Sequence, residues 1–100
     1  MLIDENGNEI KDFRIPEGVT TVGEYAFYNC SGLTSVLIPS SVTSISQQAF
    51  SGCNNVEKLI YDEGCTKTVS TGLTSVSEVV LPKTLQSIDA KTFYYFRNLK

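Results

Sequence analysis

Residues 25–39 read YAFYNCSGLTSVLIP, and residues 48–62 read QAFSGCNNVEKLIYD. Both segments keep Ala-Phe, a cysteine and an apolar triplet in the same places, 23 residues apart. A fixed period in the twenties, with apolar positions kept and the residues between them free, is typical of a solenoid whose turns stack and share one core. The kept positions are therefore predicted to point inward.

The repeat extends on both sides of this phrase. At a shift of 23 residues, apolar positions coincide as Ile15 with Ile38, Val19 with Val42, Val22 with Ile45, Cys30 with Cys53, Leu33 with Val56, and Val36 with Leu59. A later copy follows at a shift of 43, with Leu81, Leu85, Ile88, Phe93, Phe96 and Leu99 in the corresponding places. Because this shift is shorter than two full repeats, we expect one intervening turn to be shortened.

Four segments share the pattern apolar-x-x-apolar-x-apolar, whose last three residues alternate in, out, in as a strand does. They are 10–15, 33–38, 56–61 and 76–81. Stacked one turn apart, they are predicted to pair as a parallel sheet. Proline at the next position (Pro16, Pro39 and Pro82) lacks an N–H and is expected to end the pairing. The segments GEYAFYNC and SQQAFSGC are predicted to return as short helical turns, with Ala and Phe packed under the sheet.

The run LTSVLIPSSVTSISQQAFSGC resembles the BspA-like, or Treponema-type, leucine-rich repeat, whose pattern is roughly LxxIxIPxxVxxIxxxAFxxC. The resemblance covers residues 10–99, two copies closely and a third in part. It implies a right-handed, curved leucine-rich-repeat solenoid of surface or secreted proteins, with adhesion or partner binding as its activity and no catalytic residues to carry over. We expect about four turns, with short parallel strands and short helical or irregular return segments.

The chain length predicts one domain over residues 1–100. We divide it into an N-terminal hairpin cap (1–14) and repeats at 15–37, 38–60, 61–80 and 81–100, the third shortened and the last incomplete. Asn6-Gly7 between apolar residues indicates a primed hairpin turn, which would cover the first open edge of the stack. At the other end, Tyr94, Tyr95 and Phe96 either close the stack or precede further repeats.

The third repeat departs from the pattern. Residues 61–80 have no Ala-Phe pair, and Cys65 stands in the column of Val42. We therefore predict a tighter turn there, with a local irregularity or kink in the stack.

The composition of the chain argues against several classes of function. Charged residues make up 19% of the chain, and no apolar run approaches the ~20 residues of a membrane-spanning helix, so we expect no membrane insertion. The start of the chain lacks the features of a signal peptide, so an extracellular or cell-surface location rests on the resemblance alone. The net charge of −3 with scattered basic residues argues against nucleic acid. Without histidine or a convergent acid pair, we expect no enzyme and no cofactor.

Two possible sites have simpler explanations. Residues 4–9 are rich in oxygen ligands but lack the glycine and glutamate spacing of an EF-hand calcium loop, and turn formation explains Asn6-Gly7 without a metal. Cys30 and Cys53 share one column, so stacking would place them about 5 Å apart, within reach of a disulfide. The alternative is that both are free thiols filling a buried slot. The sequence contains no CxxC spacing, so the cysteines do not indicate a zinc site.

The outward positions of the predicted sheet are the candidate binding residues. One outward column is Arg14, Leu37, Ile60 and Val80, and the column beside it is Asp12, Ser35, Lys58 and Glu78. On a concave sheet, the first would be an apolar strip beside a polar one, as in a protein-binding face. Ordinary filling of a sheet by aliphatic residues is the alternative.

These observations lead to two hypotheses. In the first, the chain is a non-enzymatic interaction or adhesion module whose outward, concave sheet face binds a protein or a surface glycan, with self-association also open. In the second, it is a structural spacer or capping segment of a larger surface protein and has no ligand of its own.

Overall fold

A computed structural model of the protein describes residues 5–8 and 10–88. The strands in chain order are β1 (Asp12–Arg14), β2 (Thr21–Val22), β3 (Ser35–Ile38), β4 (Ser44–Ile45), β5 (Lys58–Tyr61) and β6 (Glu78–Val80). They form a four-stranded main sheet of order β1-β3-β5-β6 and a two-stranded second sheet, β2-β4, and all pairings are parallel. Successive main-sheet strands are joined by one full turn of chain each, so the predicted parallel solenoid is confirmed, with about three turns where about four were expected.

The register of the main sheet follows the sequence columns. Phe13 pairs with Val36, Val36 with Leu59, and Leu59 with Val79. The step along the chain is 23 residues for the first turns and falls to 20 between β5 and β6. The pairing step is thus three residues shorter between β5 and β6 than between the earlier strands.

Each turn leaves the main sheet through the same tight corner. An N–H there donates to the carbonyl three residues before it: Val19 to Pro16 (3.2 Å), Val42 to Pro39 (3.3 Å), Cys65 to Asp62 (3.2 Å) and Leu85 to Pro82 (3.3 Å). Proline in the first place has no N–H to give to the sheet, whereas in the third turn Asp62 stands there and its N–H donates to the Ile38 carbonyl at 3.0 Å. Cys65 therefore occupies the place of Val42, as the sequence predicts.

The return segments are not helical, and the prediction of short helical turns was wrong. Residues 23–30 form successive β-turns, with N–H groups donating three residues back: Ala26 to Gly23 (3.3 Å), Tyr28 to Tyr25 (3.1 Å) and Cys30 to Phe27 (3.3 Å). The alternate N–H groups bond across to the next turn, Phe27 to the Ala49 carbonyl and Asn29 to the Ser51 carbonyl, both at 2.8 Å. These bonds between turns replace the i to i−4 bonds of an α-helix.

One apolar core runs along the stack, between the main sheet and the return segments. Its completely buried members include Val36, Val56, Leu59 and Val76, all at 0% exposure, which confirms the inward phase of the repeat. In the second return segment Ala49 and Phe50 are buried as predicted. In the first, Phe27 is half-buried and Ala26 is exposed, because its turn is the first of the described stack and is covered from one side only.

Outside the main sheet, the stack divides into two pairs of turns. We call the turns that begin at β1 and β3 the N-terminal pair, and those that begin at β5 and β6 the C-terminal pair. Within the N-terminal pair β2 joins β4, and within the C-terminal pair Lys67 forms a β-bridge with Ser87. Among residues 5–8 and 10–88, β4 has no second partner strand. A cleft of about 170 Å³, lined in part by Thr43 and Lys67, lies there instead.

A hydroxyl clamp repeats this division. The Ser41 hydroxyl accepts from the N–H of Gly18 (3.2 Å) and donates to the Val19 carbonyl (2.9 Å). The Thr84 hydroxyl does the same in the C-terminal pair, accepting from the N–H of Gly64 (3.0 Å) and donating to the Cys65 carbonyl (2.9 Å). Each pair is therefore closed by one glycine from its first turn and one hydroxyl from its second.

The shortened third turn fills its core differently. Tyr61 stands where the second turn has Ile38, is 2% exposed, and its hydroxyl donates to the Val69 carbonyl at 2.7 Å. Thr68 and Thr71 are buried as well, each at 1% exposure. A longer inward side chain and two buried threonines thus replace the Ala-Phe pair, and the irregularity predicted for this repeat is present.

Two predictions about the chain ends lie wholly or partly outside the described residues. The hairpin cap over 1–14 includes residues 1–4 and 9, which are not described; residues 5–7 form a bend in which Gly7 has φ of 84°. The aromatic closing cap at Tyr94, Tyr95 and Phe96 lies outside the described residues altogether.

Candidate functional site

The outward face of the main sheet contains the two columns identified in the sequence. The pairing register places Arg14, Leu37, Ile60 and Val80 in one row across the four strands, and Asp12, Ser35, Lys58 and Glu78 in the other. Strand alternation accounts for this placement, because the residues between the rows (Phe13, Val36, Leu59 and Val79) belong to the core or pack against it.

The apolar row is partly accessible. Leu37 and Ile60 are half-buried on the two central strands, while Val80 on the edge strand β6 is 38% exposed. Side chains on central strands are covered by neighbours on both sides, so they have less solvent-accessible area than a side chain on the edge strand. The row therefore offers a strip of aliphatic surface that widens towards β6.

Arg14 ends this row, but it is held by acidic residues. Its guanidinium Nη2 lies 2.9 Å from a Glu17 carboxylate oxygen and 2.9 Å from an Asp62 carboxylate oxygen. The Asp62 contact joins the first turn to the third, 48 residues away. Sequence reasoning missed this partner; the available signal was that Asp62 interrupts the column Pro16, Pro39, Pro82. Arg14 is thus a cross-turn clamp at the edge of the face.

The polar row is paired within itself. The Ser35 hydroxyl donates to an Asp12 carboxylate oxygen at 2.6 Å, and the Lys58 ammonium lies 3.7 Å from a Glu78 carboxylate oxygen. Both are contacts between neighbouring strands at the same register, the arrangement that stabilises a sheet surface. The row presents polar groups whose charges are already partly compensated, so it resembles the rim of an interface more than a catalytic cluster.

The cysteines are placed for packing. Cys30, Cys53 and Cys65 are all buried free thiols, so the disulfide alternative for Cys30 and Cys53 is not the state of this structure. The Cys53 thiol donates to the Phe27 carbonyl at 3.0 Å, and burial raises its pKa to about 11. Burial, with the nearby Asp62 carboxylate, also raises the pKa of Cys65. Both thiols stay protonated at neutral pH, and a protonated thiol is a poor nucleophile and metal ligand.

Within residues 5–8 and 10–88, no three histidine, cysteine, aspartate or glutamate side chains lie close enough together to hold a metal ion. The same residues contain no helix long and apolar enough to cross a membrane. The outward face offers aliphatic packing along one row and hydrogen bonding or charge pairing along the other.

Comparison with known families gives one match. The model for the BspA type leucine rich repeat region (6 copies) matches residues 5–100. Neither the curated proteins nor the solved structures gave a significant match. Repeats of this kind generally mediate protein interaction or adhesion, are typically non-enzymatic, and are typically surface-associated. With nearly the whole sequence matched, and with parallel strands stacked at the repeat period, the chain belongs to the BspA-type leucine-rich repeat family.

Proposed function

We propose that this protein is a non-enzymatic interaction module that binds a partner protein through the outward face of its main sheet. The observation that supports this most is the register of the face, where an aliphatic row (Leu37, Ile60, Val80) lies directly beside a polar row whose groups pair with one another. An apolar strip bordered by compensated polar groups loses little on desolvation, which favours protein contact.

The size of the strip bears on the strength of binding. A stable protein interface buries roughly 1,200–2,000 Å² in total, and three aliphatic side chains supply only part of one side of it. A module of this kind is expected to bind weakly through one copy and to gain strength through many copies displayed together. That behaviour suits adhesion. We therefore propose that the protein acts at a cell surface or as a secreted protein.

Charge indicates which partner surfaces are compatible. Acidic side chains on or bordering the face (Asp12, Glu17, Asp62, Glu78) outnumber the basic ones (Arg14, Lys58). A neutral or mildly basic apolar surface would complement the face, whereas an acidic one would be repelled.

The test compares two double variants that differ in position and not in charge. Leu37→Asp/Ile60→Asp places two carboxylates on register partners of the main sheet, and Thr21→Asp/Ser44→Asp places two on register partners of the exposed second sheet. Both are first compared with the wild type by thermal melting and by size-exclusion chromatography. Beads densely coated with each protein are then compared for adhesion to bacterial and epithelial cell surfaces.

We expect adhesion to fall at least about tenfold for Leu37→Asp/Ile60→Asp and to persist for Thr21→Asp/Ser44→Asp. A sizing difference confined to the main-sheet variant would identify a second copy of the chain as the partner. Equal adhesion by all three folded proteins would contradict the proposal and favour a structural spacer.

A further inference from the structure

A second surface, on the return side of the first turn, has features that the repeat itself does not require. Tyr25 and Tyr28 are 52% and 53% exposed, and their rings meet edge to face with centroids 5.5 Å apart. Together with Ser51 they line an open cleft of about 500 Å³. We call these three residues the tyrosine corner. Tyrosine is enriched at protein interfaces, and neighbouring exposed apolar groups bordered by polar ones often mark binding sites.

The corner is held rigidly. The N–H of Tyr28 donates to the Tyr25 carbonyl at 3.1 Å, which closes one β-turn around both residues. Between them, Phe27 donates its N–H to the Ala49 carbonyl at 2.8 Å and stacks its ring on Phe50 at 5.1 Å, nearly parallel. The two exposed rings therefore project from a turn that is fixed to the next turn by both backbone and core. A preorganised aromatic surface loses little conformational entropy on binding.

The backbone of the corner is strained. Tyr25 has φ of 60°, a conformation that an aromatic residue rarely adopts and that glycine or asparagine would adopt more readily. Such strain is found preferentially where function demands a particular side chain. The next turn shows that the fold does not demand it, because the corresponding hydrogen bonds close β-turns there with Gln48 in place of Tyr25, and Gln48 does not have a positive φ.

Hydrogen-bonding groups and charge limit the chemical class of ligand that the corner can bind. Neither phenol hydroxyl of the pair has a hydrogen-bond partner among the residues that the structure describes, so both are free to donate. Glu24, directly before Tyr25, is exposed and has no ion-pair partner in the same part of the chain. The corner thus presents aromatic rings, hydroxyl donors and a negative charge, on a chain whose net charge is −3.

We propose that the tyrosine corner binds a proline-rich peptide segment in the polyproline II conformation that carries basic residues beside its prolines. Proline rings pack against aromatic side chains, and a polyproline II backbone has solvated carbonyls that accept from hydroxyl donors such as those of Tyr25, Tyr28 and Ser51. A basic flanking residue pairs with Glu24. A neutral glycan would also stack on the rings, but it would gain nothing from the acidic charge, so the peptide is favoured.

The test titrates the full chain against a fluorescein-labelled run of prolines with an arginine at each end, followed by anisotropy. A matched peptide has alternate prolines replaced by glycine. The variant Tyr25→Asn/Tyr28→Ser removes the corner while keeping the turn, since asparagine tolerates the positive φ and serine occupies the corresponding place in the next turn. The variant Thr66→Ala/Gln86→Ala serves as the control, because it changes two exposed, uncharged side chains of the C-terminal pair and leaves the net charge as it is.

We expect saturable binding of the proline peptide that weakens at least about tenfold in the Tyr25→Asn/Tyr28→Ser variant, weakens with salt, and is unchanged in the Thr66→Ala/Gln86→Ala variant. On the wild type, labelled tyrosine ring resonances should show Tyr25 and Tyr28 shifting with peptide, which tests the corner without any substitution. Equal binding of the two peptides, or no shift of these rings at saturation, would overturn the proposal. Shifts produced by cellohexaose and not by the proline peptide would assign the corner to a glycan instead and would equally overturn it.

Discussion

The N-terminal and C-terminal pairs of turns share one main sheet but build their interiors by different means. The N-terminal pair stacks like on like, with Phe27 on Phe50 at 5.1 Å and β2 on β4 at the full repeat. The C-terminal pair begins with a turn that lacks the phenylalanine and fills the space with Tyr61 and the buried threonines Thr68 and Thr71. Yet the corner turn and the hydroxyl clamp are the same in both. The comparison teaches that the repeat fixes hydrogen bonding at its corners, while its core accepts alternative packing.

The largest effect should come from removing the phenylalanine stack of the N-terminal pair. Phe50→Ala leaves a cavity between turns at a side chain that is 4% exposed, and should lower the free energy of unfolding by about 3–5 kcal/mol. Urea denaturation followed by circular dichroism measures this. The exposed Tyr28→Ala is the control and should change stability by less than about 0.5 kcal/mol. A small loss for Phe50→Ala would mean that the N-terminal pair is as tolerant as its neighbour.

The next effect tests how closely the two pairs approach each other. Gly72 has φ of 75°, and a Cβ added there would meet the backbone carbonyl of Gln47 in the preceding turn. Gly72→Ala should therefore cost about 2–4 kcal/mol, from the backbone conformation and the clash together.

Gly18→Ala provides the matched control for this contact. Its φ is 93° and no atom lies within 4 Å of the added Cβ, so only the conformational cost of about 1–2 kcal/mol remains. Thermal melts of both variants give the difference. Equal losses would show that the contact between Gly72 and the Gln47 carbonyl of the N-terminal pair relaxes without cost.

Alkaline pH should weaken the buried thiol column. Burial raises the pKa of Cys53 from 9.0 to about 11, so the folded state disfavours the thiolate. The stabilisation is fully present below pH 9 and is lost as the pH rises through 9 to 11, with a slope of about 1.4 kcal/mol per pH unit for this group.

Denaturation at a series of pH values, for wild type and Cys53→Ala, isolates this dependence from the other groups that titrate at high pH. The difference in stability between the two proteins should narrow above pH 9. A constant difference up to pH 11 would show that the Cys53 pKa is unchanged by folding.

A smaller effect is expected at the tyrosine that fills the shortened turn. Tyr61→Phe removes the hydroxyl that donates to the Val69 carbonyl at 2.7 Å and leaves a buried acceptor without that donor. A loss of about 1–2 kcal/mol is expected, together with faster amide exchange confined to the C-terminal pair. Exchange that rises equally in both pairs would show that they unfold as one unit.

The smallest effect is expected where an ion pair joins the two pairs across the main-sheet face. Arg14→Gln breaks the contacts with Glu17 and Asp62, but the Arg14 side chain is 54% exposed, so stability should fall by about 0–1 kcal/mol, and less in high salt. Denaturation at low and high ionic strength measures it. A loss that persists in high salt would assign Arg14 a packing role through its aliphatic stem.

The sequence was sufficient to predict the main sheet, because its inward positions are apolar in every turn and a strand has a period of two. Repetition of letters alone would have misled at one place. The pentapeptide GLTSV occurs at 32–36 and at 72–76, yet Leu33 corresponds in register to Val76 and not to Leu73. The apolar spacing of residues 76–81 gave the correct register for β6. Aligning the identical pentapeptides would have shifted that register.

Other features depend on geometry that a single sequence does not encode. The return segments contain residues compatible with a helix, but alternate N–H groups find partners in the neighbouring turn, and that competition decided against a helix. Each strand of the second sheet is only two residues long, which is too short to show the alternation of apolar and polar residues typical of a strand. Likewise, the Arg14–Asp62 contact joins side chains 48 residues apart, and the exposed Tyr25–Tyr28 pair is visible only once the turn places both rings outside.

The hydroxyl clamp has a consequence for how such an array can grow. Glycine and hydroxyl residues alternate at this corner as Gly18, Ser41, Gly64 and Thr84, so each bond needs one turn of each kind. Copying a single turn would set glycine against glycine or hydroxyl against hydroxyl and leave an N–H without its acceptor. Copying two consecutive turns preserves every clamp. A designed array that keeps this bond must therefore be extended two turns at a time, even though the apolar pattern repeats with every turn.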